Sequence, residues 1–125
     1  MGPEKKFENQ VKKWLDELYC TWYFKVHGTA ATGAGVPDII ASVNGIFVGF
    51  EIKADNGKLS EIQKAKFRKI FNDGGLVFVV YPNNFREIKE AVENLDLADN
   101  WMAIGESSVW ETCRRNLRNV GVKDV

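Results

Sequence analysis

Two kinds of metal-binding residue are scarce in this sequence. It contains two cysteines and one histidine among 125 residues. Cys20 and Cys113 lie far apart, without the spacing of a metal site, so we expect free thiols. His27 stands alone at the end of a predicted strand, where a structural role is the simpler interpretation. Zinc prefers cysteine and histidine ligands, so these residues do not predict a zinc centre.

Long apolar runs and an excess of charge of either sign are also absent. No stretch approaches the length of a membrane span, and the N-terminus lacks a signal-peptide pattern, so we expect an intracellular protein with no membrane partner. Seventeen basic and seventeen acidic residues give a net charge of zero, which argues against a general nucleic-acid-coating protein. A local basic surface remains compatible with this balance, because an electrostatic field depends on how charges are distributed. Three residues are candidates for such a DNA-binding surface: Lys58, Lys64 and Arg68.

Hydrophobic periodicity and turn signals predict a single α/β domain over residues 1–125, with a mixed sheet and helices packed against it. We expect helices over about 4–18, 60–72, 84–95 and 108–117, strands over about 19–26, 39–43, 46–52 and 76–81, and a short edge strand near 102–105. Three helices begin with the spacing of a capping box: Ser60 with Gln63, Asn84 with Glu87, and Ser108 with Glu111. The continuously apolar run 76–81 predicts a strand covered on both faces.

Asn44-Gly45, between two apolar runs, is the strongest signal for local structure. Asn-Gly favours a two-residue type I′ turn, because both central residues need positive φ. Residue 43 is then paired with 46, and residue 38 with 51. A one-residue slip would move polar side chains into the apolar layer, so the register is well specified. That layer comprises Ile39, Ala41, Val43, Ile46, Val48, Phe50 and Ile52.

Asp38 and Glu51 are therefore expected to face each other across the hairpin, with Cβ atoms roughly 4.5–5.5 Å apart. Each acid alone is typical of a solvated sheet surface, but two facing carboxylates repel and imply a cation between them. Carboxylate oxygens suit Mg²⁺ or Mn²⁺, and the backbone carbonyl of Ile52 is a third candidate ligand. Lys53 points to the same face as Glu51. This set favours hydrolysis of a phosphodiester, with Lys53 either activating water or stabilising charge on phosphorus.

Gln63 and Glu8 are candidates to extend this set. Gln63 lies on the inward stripe of its helix, although a capping role explains it equally well. Glu8 lies at the flank of the first helix's apolar stripe, where it would either reach a metal through water or be an ordinary surface acid. The small residues of 28–37 form a connection that would also let a phosphate backbone approach closely. That loop lacks the ending of a P-loop, which excludes nucleoside triphosphate binding.

These residues together resemble a known nuclease pattern. Pro37-Asp38, a spacer and Glu51-Ile52-Lys53 resemble the signature of the PD-(D/E)XK nucleases. The helix that carries Glu8, the run Gly35-Val36-Pro37-Asp38 and the pair Ser60 and Gln63 resemble its VRR-NUC branch. The resemblance covers roughly residues 4–85. It implies a restriction-endonuclease-like fold with an α-β-β-β-α-β core.

The resemblance also implies roles for individual residues. Asp38 and Glu51 would bind Mg²⁺ or Mn²⁺, Lys53 would be the catalytic lysine, Gln63 an active-site polar residue and Glu8 an accessory acid. Similar stand-alone nucleases are typically homodimers that act on branched DNA such as Holliday junctions. A two-fold dimer would present two active sites to two strands.

Three alternatives remain open at this point. The chain would be a generic or restriction-like nicking nuclease, or a non-catalytic nucleic-acid-binding module of the same fold. The intact Asp38, Glu51 and Lys53 disfavour the non-catalytic module. A small-molecule phosphohydrolase is the least favoured, because no segment is suited to enclose a small substrate.

Overall fold

The computed structural model of the chain describes residues 1–28 and 33–125. Within these residues the element order is α1 (Pro3–Asp16), β1 (Thr21–Lys25), β2 (Ile39–Val43), β3 (Ile46–Ile52), α2 (Glu61–Asn72), β4 (Leu76–Val80), α3 (Phe85–Asp96), α4 (Trp101–Glu106) and α5 (Val109–Asn119). The strands form one sheet in the order β1-β2-β3-β4. The first three strands are antiparallel, whereas β3 and β4 are parallel. The fold is thus mixed α/β with helices flanking a mixed sheet, as predicted, and is consistent with a restriction-endonuclease-like architecture.

The β2–β3 hairpin has the predicted turn and register. Asn44 and Gly45 have φ values of 50° and 83°, as a type I′ turn requires. The ladder runs from Val43 opposite Ile46 to Ile39 opposite Phe50. Asp38 and Glu51 are the next residues beyond that last pair, so the turn places the two acids at the same end of the sheet.

The apolar face of the hairpin packs against α1 and α3. Phe50 of β3 lies under Trp14 of α1, with edge-on ring centroids 6.0 Å apart. Trp14 in turn meets Phe85 of α3 at 5.6 Å. The β4 strand is buried along its whole length, as its continuous apolar run predicted. Packing on this face therefore fixes which face of β3 carries Glu51 and Lys53.

The two edges of the sheet differ. At the β4 edge, the carboxamide of Asn116 in α5 accepts a hydrogen bond from the Val79 N–H and donates one to the Val79 carbonyl, at 2.8 and 3.0 Å. Cys113 of α5 packs beside it as a buried free thiol, and burial raises the pKa of that thiol to about 12. At the β1 edge, Trp22 is 66% exposed. Helix α5 therefore protects one edge, and within the described residues no strand covers the other.

Two predictions about local structure are wrong. Residues 102–105 lie in α4 instead of a strand, because the Asn100 side chain caps that helix by accepting from the Ala103 N–H. The capping boxes at Asn84 and Ser108 do not form, although their helices do. Asn84 instead accepts from the Tyr81 N–H and donates to the Val79 carbonyl, so its side chain joins the end of β4 to α3.

None of the helices in the described part of the chain is both long enough and apolar enough to cross a bilayer.

Candidate active site

Asp38 is positioned by hydrogen bonds from two neighbouring segments and by the packing of Pro37, the residue before it, on a glycine. Its backbone carbonyl accepts from the Val26 N–H at 2.8 Å, and its Oδ2 accepts from the Ile52 N–H at 2.9 Å. Pro37 packs directly on Gly49 of β3, where an added Cβ would lie 2.8 Å from the proline Cγ. Gly49 thereby allows the chain to lie close to the sheet just before Asp38.

Glu51 is a buried carboxylate with only one of its oxygens satisfied. Its side chain is 6% exposed. Oε2 accepts from Gln63 Nε2 at 2.8 Å and lies 3.4 Å from Lys53 Nζ. Among the described residues, Oε1 has no hydrogen-bond partner. Buried polar atoms are nearly always paired, so an unpaired carboxylate oxygen indicates a site for an additional ligand.

The environment of Glu51 opposes its ionisation. Burial, followed by the negative charge of Asp38, raises its pKa from 4.5 to about 7, while Lys53 and Gln63 lower it by less. The structure therefore brings Asp38 and Glu51 close enough to repel, as the hairpin register predicts. A bound cation would relieve this repulsion.

Gln63 forms the predicted capping box and also contacts Glu51. Its Oε1 accepts from the Ser60 N–H, while Ser60 Oγ accepts from the Gln63 N–H, which completes the capping box. The other end of the same carboxamide donates to Glu51. The helix cap thus fixes the amide orientation and directs its N–H groups at the buried acid.

The geometry at Ile52 is compatible with its predicted role as a backbone ligand. The Ile52 N–H points to Asp38, whereas the next N–H, that of Lys53, points to Val80 of β4. The N–H and C=O of one strand residue point to the same side. The Ile52 carbonyl is therefore on the side of β3 that faces Asp38.

The donor set fits a hard divalent cation. Asp38 and Glu51 supply carboxylate oxygens, one of them unpaired, and Ile52 adds a carbonyl. No group of three or more His, Cys, Asp or Glu side chains in the described residues is arranged to hold a metal ion. Mg²⁺ is commonly held by one or two carboxylates, with water and substrate phosphate oxygens completing its shell. Two acids are therefore a sufficient protein contribution for a metal that is shared with a phosphate.

Glu8 lies in a different environment from the one that the resemblance implies. Its carboxylate forms ion pairs with Lys5, Lys12 and Lys25 at 2.8, 3.1 and 2.5 Å. Burial raises the pKa of Glu8, but hydrogen bonds from Lys25, Lys5 and Lys12 outweigh that effect and lower it to about 2. In the described residues, all of its ion pairs are with lysines. Glu8 is thus satisfied without a metal, and its role as an accessory acid stays a prediction.

The three basic residues that we predicted to bind DNA are separated. Lys58 and Lys64 line an open groove of about 950 Å³ between the segment 55–59, α3 and α5. Arg68 does not line it, and its Nε donates instead to the Lys123 carbonyl at 2.6 Å. Lys58 and Lys64 therefore share one groove, whereas Arg68 contacts the C-terminal segment, and the binding of DNA by these three residues stays a prediction.

Sequence reasoning missed Tyr81 and the lysines around Glu8. Tyr81 follows β4, and its hydroxyl donates to the Gly57 carbonyl at 2.7 Å, which holds the turn after Lys53. Burial, and then the charge of Glu51, raise the pKa of Tyr81. Lys12 was detectable at i+4 from Glu8, but Lys25 meets Glu8 only through the tertiary fold. Residues 29–32 of the predicted phosphate-approach loop lie outside the described residues.

Comparison with known proteins returns no match to a family model, a curated protein or a solved structure.

Proposed function

We propose that this protein is a Mg²⁺- or Mn²⁺-dependent DNA endonuclease that hydrolyses phosphodiester bonds. The observation that carries the proposal is the pairing of Asp38 with the buried Glu51. One Glu51 oxygen is unpaired, and the Lys53 ammonium lies 3.4 Å from the other. Burial and the charge of Asp38 raise the pKa of Glu51, and a carboxyl group with such a shifted pKa beside a cationic side chain is typical of catalytic sites. The resemblance to the PD-(D/E)XK pattern supports the same chemistry.

In this proposal, each residue contributes through the position that its strand or helix gives it. Asp38, Glu51 and the Ile52 carbonyl hold the metal, and Gln63 orients Glu51 from the helix cap. A bound metal would supply a more acidic water and neutralise negative charge that develops on the phosphate. Lys53 places an ammonium beside the same centre, where it activates water or stabilises that charge.

We also propose that the substrate is branched DNA and that the active form is a homodimer. Both proposals come from the resemblance to stand-alone VRR-NUC nucleases. The open β1 edge supports a dimer, because an unpaired strand with exposed aromatic side chains is a surface that tends to associate. Trp22 and Phe24 are exposed there, with ring centroids 5.5 Å apart. Light scattering would then report twice the mass of 14.1 kDa, and Trp22→Ser would shift it toward the monomer.

A cleavage panel tests the proposed activity. Purified protein with Mn²⁺ or Mg²⁺ is incubated with labelled linear duplex, flap and four-way junction DNA of matched sequence, and the products are mapped. We expect metal-dependent cleavage, fastest on the junction, with paired nicks at symmetric positions. Equal nicking of all substrates would favour the generic nuclease instead.

Two variants make this panel specific to the proposed site. Asp38→Asn is expected to abolish cleavage, whereas Glu61→Gln changes an exposed acid near Gln63 and is expected to cut normally. Absence of cleavage by the wild type with either metal, or full activity of Asp38→Asn, would contradict the nuclease proposal.

A further inference from the structure

Three lysines converge on the buried carboxylate of Glu8. Lys5 and Lys12 come from α1, and Lys25 comes from the last position of β1, across the packing interface. We call these three residues the lysine cluster. The side chain of Glu8 is 9% exposed, whereas those of Lys5, Lys12 and Lys25 are 54%, 26% and 26% exposed. The acid therefore lies beneath the ammonium groups, which reach the solvent above it.

The lysine cluster keeps a net positive charge despite its buried partner. One carboxylate neutralises one of three ammonium groups, which leaves a formal charge of about +2 at neutral pH. Each ammonium carries three N–H donors, so donors remain after the bond to Glu8. Ammonium groups this close together repel one another, and a second anion above them would relieve that repulsion. The arrangement is suited to an anion that approaches from solvent.

The lysine cluster lies at the same end of the sheet as the acid pair. Lys25 is on the face that carries Ile39 and Phe50, whereas Glu51 is on the other face. Lys25 is directly opposite Ile39 in the β1–β2 ladder, and the next residue, Val26, donates its N–H to the Asp38 carbonyl. Neighbouring strands are roughly 4.8 Å apart, so the backbone of Lys25 is about one strand spacing from that of Asp38. Lys58 and Lys64 lie in the groove toward α5, on the far side of β3.

We propose that the lysine cluster binds phosphates of the DNA backbone at the end of the sheet that also carries the acid pair, and that Glu8 is the positioning residue that holds the three ammonium groups together. This inference rests on the proposed nuclease function, since that function supplies the polyanion. It assigns Glu8 to DNA binding through its lysines and leaves the metal to Asp38 and Glu51.

Salt dependence of DNA binding tests the inference without cleavage. Affinity for a labelled duplex is measured by fluorescence anisotropy in EDTA at several salt concentrations. Each phosphate contact contributes about 0.9 to the slope of log K against log salt concentration. Lys12→Ala and Lys25→Ala are each expected to weaken binding and reduce that slope by about 1. Lys25→Arg, which keeps the charge, is expected to restore it.

Lys13 provides a matched control. It neighbours Lys12 on α1 but is exposed and makes no ion pair with Glu8. Lys13→Ala is expected to leave the affinity and the slope unchanged. The inference would be overturned if Lys12→Ala and Lys25→Ala both kept the wild-type slope. It would also be overturned if Lys13→Ala lost as much affinity and slope as they do.

A second measurement uses the wild-type protein and does not depend on how a variant folds. Lysine acetylation is followed by mass spectrometry with DNA, with inorganic phosphate at equal ionic strength, and with neither. DNA is expected to slow acetylation of Lys12 and Lys25 but not of Lys13, and inorganic phosphate is expected to have little effect. No protection by DNA, or equal protection by inorganic phosphate, would contradict a backbone-binding cluster.

The outcomes separate this inference from the nuclease proposal. DNA that binds through the lysine cluster but is never cut would support the inference and refute the nuclease. DNA that is cut normally while the cluster variants keep the wild-type salt slope would refute the inference alone.

Discussion

Glu8 and Glu51 are both buried, at 7% and 4% residue exposure, but their surroundings shift their pKa values in opposite directions. Three lysines hold the pKa of Glu8 down at about 2 against the effect of burial. For Glu51, burial and the neighbouring Asp38 raise the pKa to about 7 against a single lysine and one amide. Burial alone therefore does not determine whether an acid is ionised, because the number and the charge of its partners also shift its pKa.

The two glutamates also differ in whether the fold satisfies their oxygens. Asp96, a third buried acid, is satisfied by neutral donors, the N–H groups of Tyr19 and Cys20 and the hydroxyl of Thr21. Glu51 alone among these three acids keeps a buried oxygen without a partner in the described residues. A fold that retains such an atom beside a second carboxylate indicates a functional site.

The largest expected difference between the two glutamates is in catalysis. Glu51→Gln keeps the shape of the side chain but removes the charge that would hold the metal, so kcat should fall by about 10³-fold or more. Glu8→Gln should cause a far smaller loss of kcat, because Glu8 contacts lysines instead of the reacting centre. Steady-state cleavage of the best DNA substrate measures both. Equal losses of kcat would remove the distinction between the two acids.

The same substitutions should change stability with opposite signs. At pH 8 in EDTA, Glu51 is ionised, and this lowers the stability of the folded protein. The rise of its pKa from 4.5 to about 7 corresponds to a loss of roughly 3 kcal/mol or less. Glu51→Gln should therefore raise the free energy of unfolding by roughly 1–3 kcal/mol. Glu8→Gln leaves three lysines without their partner and should lower it by roughly 1–3 kcal/mol. Urea unfolding of the wild type, Glu51→Gln and Glu8→Gln measures these changes. A less stable Glu51→Gln would contradict the claim that the ionised Glu51 destabilises the fold.

The pH dependence of stability distinguishes the two acids further. Between its ordinary pKa of 4.5 and its folded-state pKa of about 7, Glu51 binds more protons in the folded state than in the unfolded state. Its contribution to the free energy of unfolding should thus be lost as the pH rises through this window. Glu8, with its pKa lowered to about 2, contributes stability that is lost as the pH falls from 4.5 toward 2.

Unfolding curves in EDTA at a series of pH values separate these two contributions. The decline between pH 5 and 7 should disappear in Glu51→Gln, and the acid-side loss should shrink in Glu8→Gln. Curves for Glu51→Gln that keep the wild-type decline would assign that decline to other groups.

The smallest expected effect concerns the helix cap that serves Glu51. Ser60→Ala and Gln63→Ala each remove part of one capping box, and each should cost about 1 kcal/mol of stability. Gln63→Ala also removes the hydrogen bond to Glu51 and should move the acid limb of the pH–kcat profile to higher pH, because that bond lowers the pKa of Glu51. Ser60→Ala should leave the limb in place. Identical pH–kcat profiles for Gln63→Ala and Ser60→Ala would indicate that Gln63 acts only as a capping residue.

The site was predictable from the sequence where local rules determine geometry. Asn44-Gly45 specifies the turn, the turn specifies the register, and the register brings Asp38 to Glu51. Ser60 and Gln63 are three residues apart, so their capping box was also readable. These features depend on contacts within a hairpin or a single helical turn.

The features that were missed depend on contacts between distant segments. Lys25 meets Glu8 only after β1 packs on α1, and Asn84 serves the end of β4 instead of capping its own helix. Residues 101–104 form a short continuous apolar run, and the Asn100 cap starts a helix there. Hydrophobic spacing over four residues does not distinguish a short strand from a short helix.

The assignment on which the proposed function depends is that Asp38 and Glu51 form a divalent-metal site and that Glu8 does not. Isothermal titration of Mn²⁺ into the DNA-free protein at pH 8 is the sharpest test of it. We expect Glu8→Gln to bind Mn²⁺ like the wild type, whereas Glu51→Gln should bind it at least about 10–100-fold more weakly. Wild-type affinity in Glu51→Gln, or the loss of binding in Glu8→Gln, would overturn the assignment.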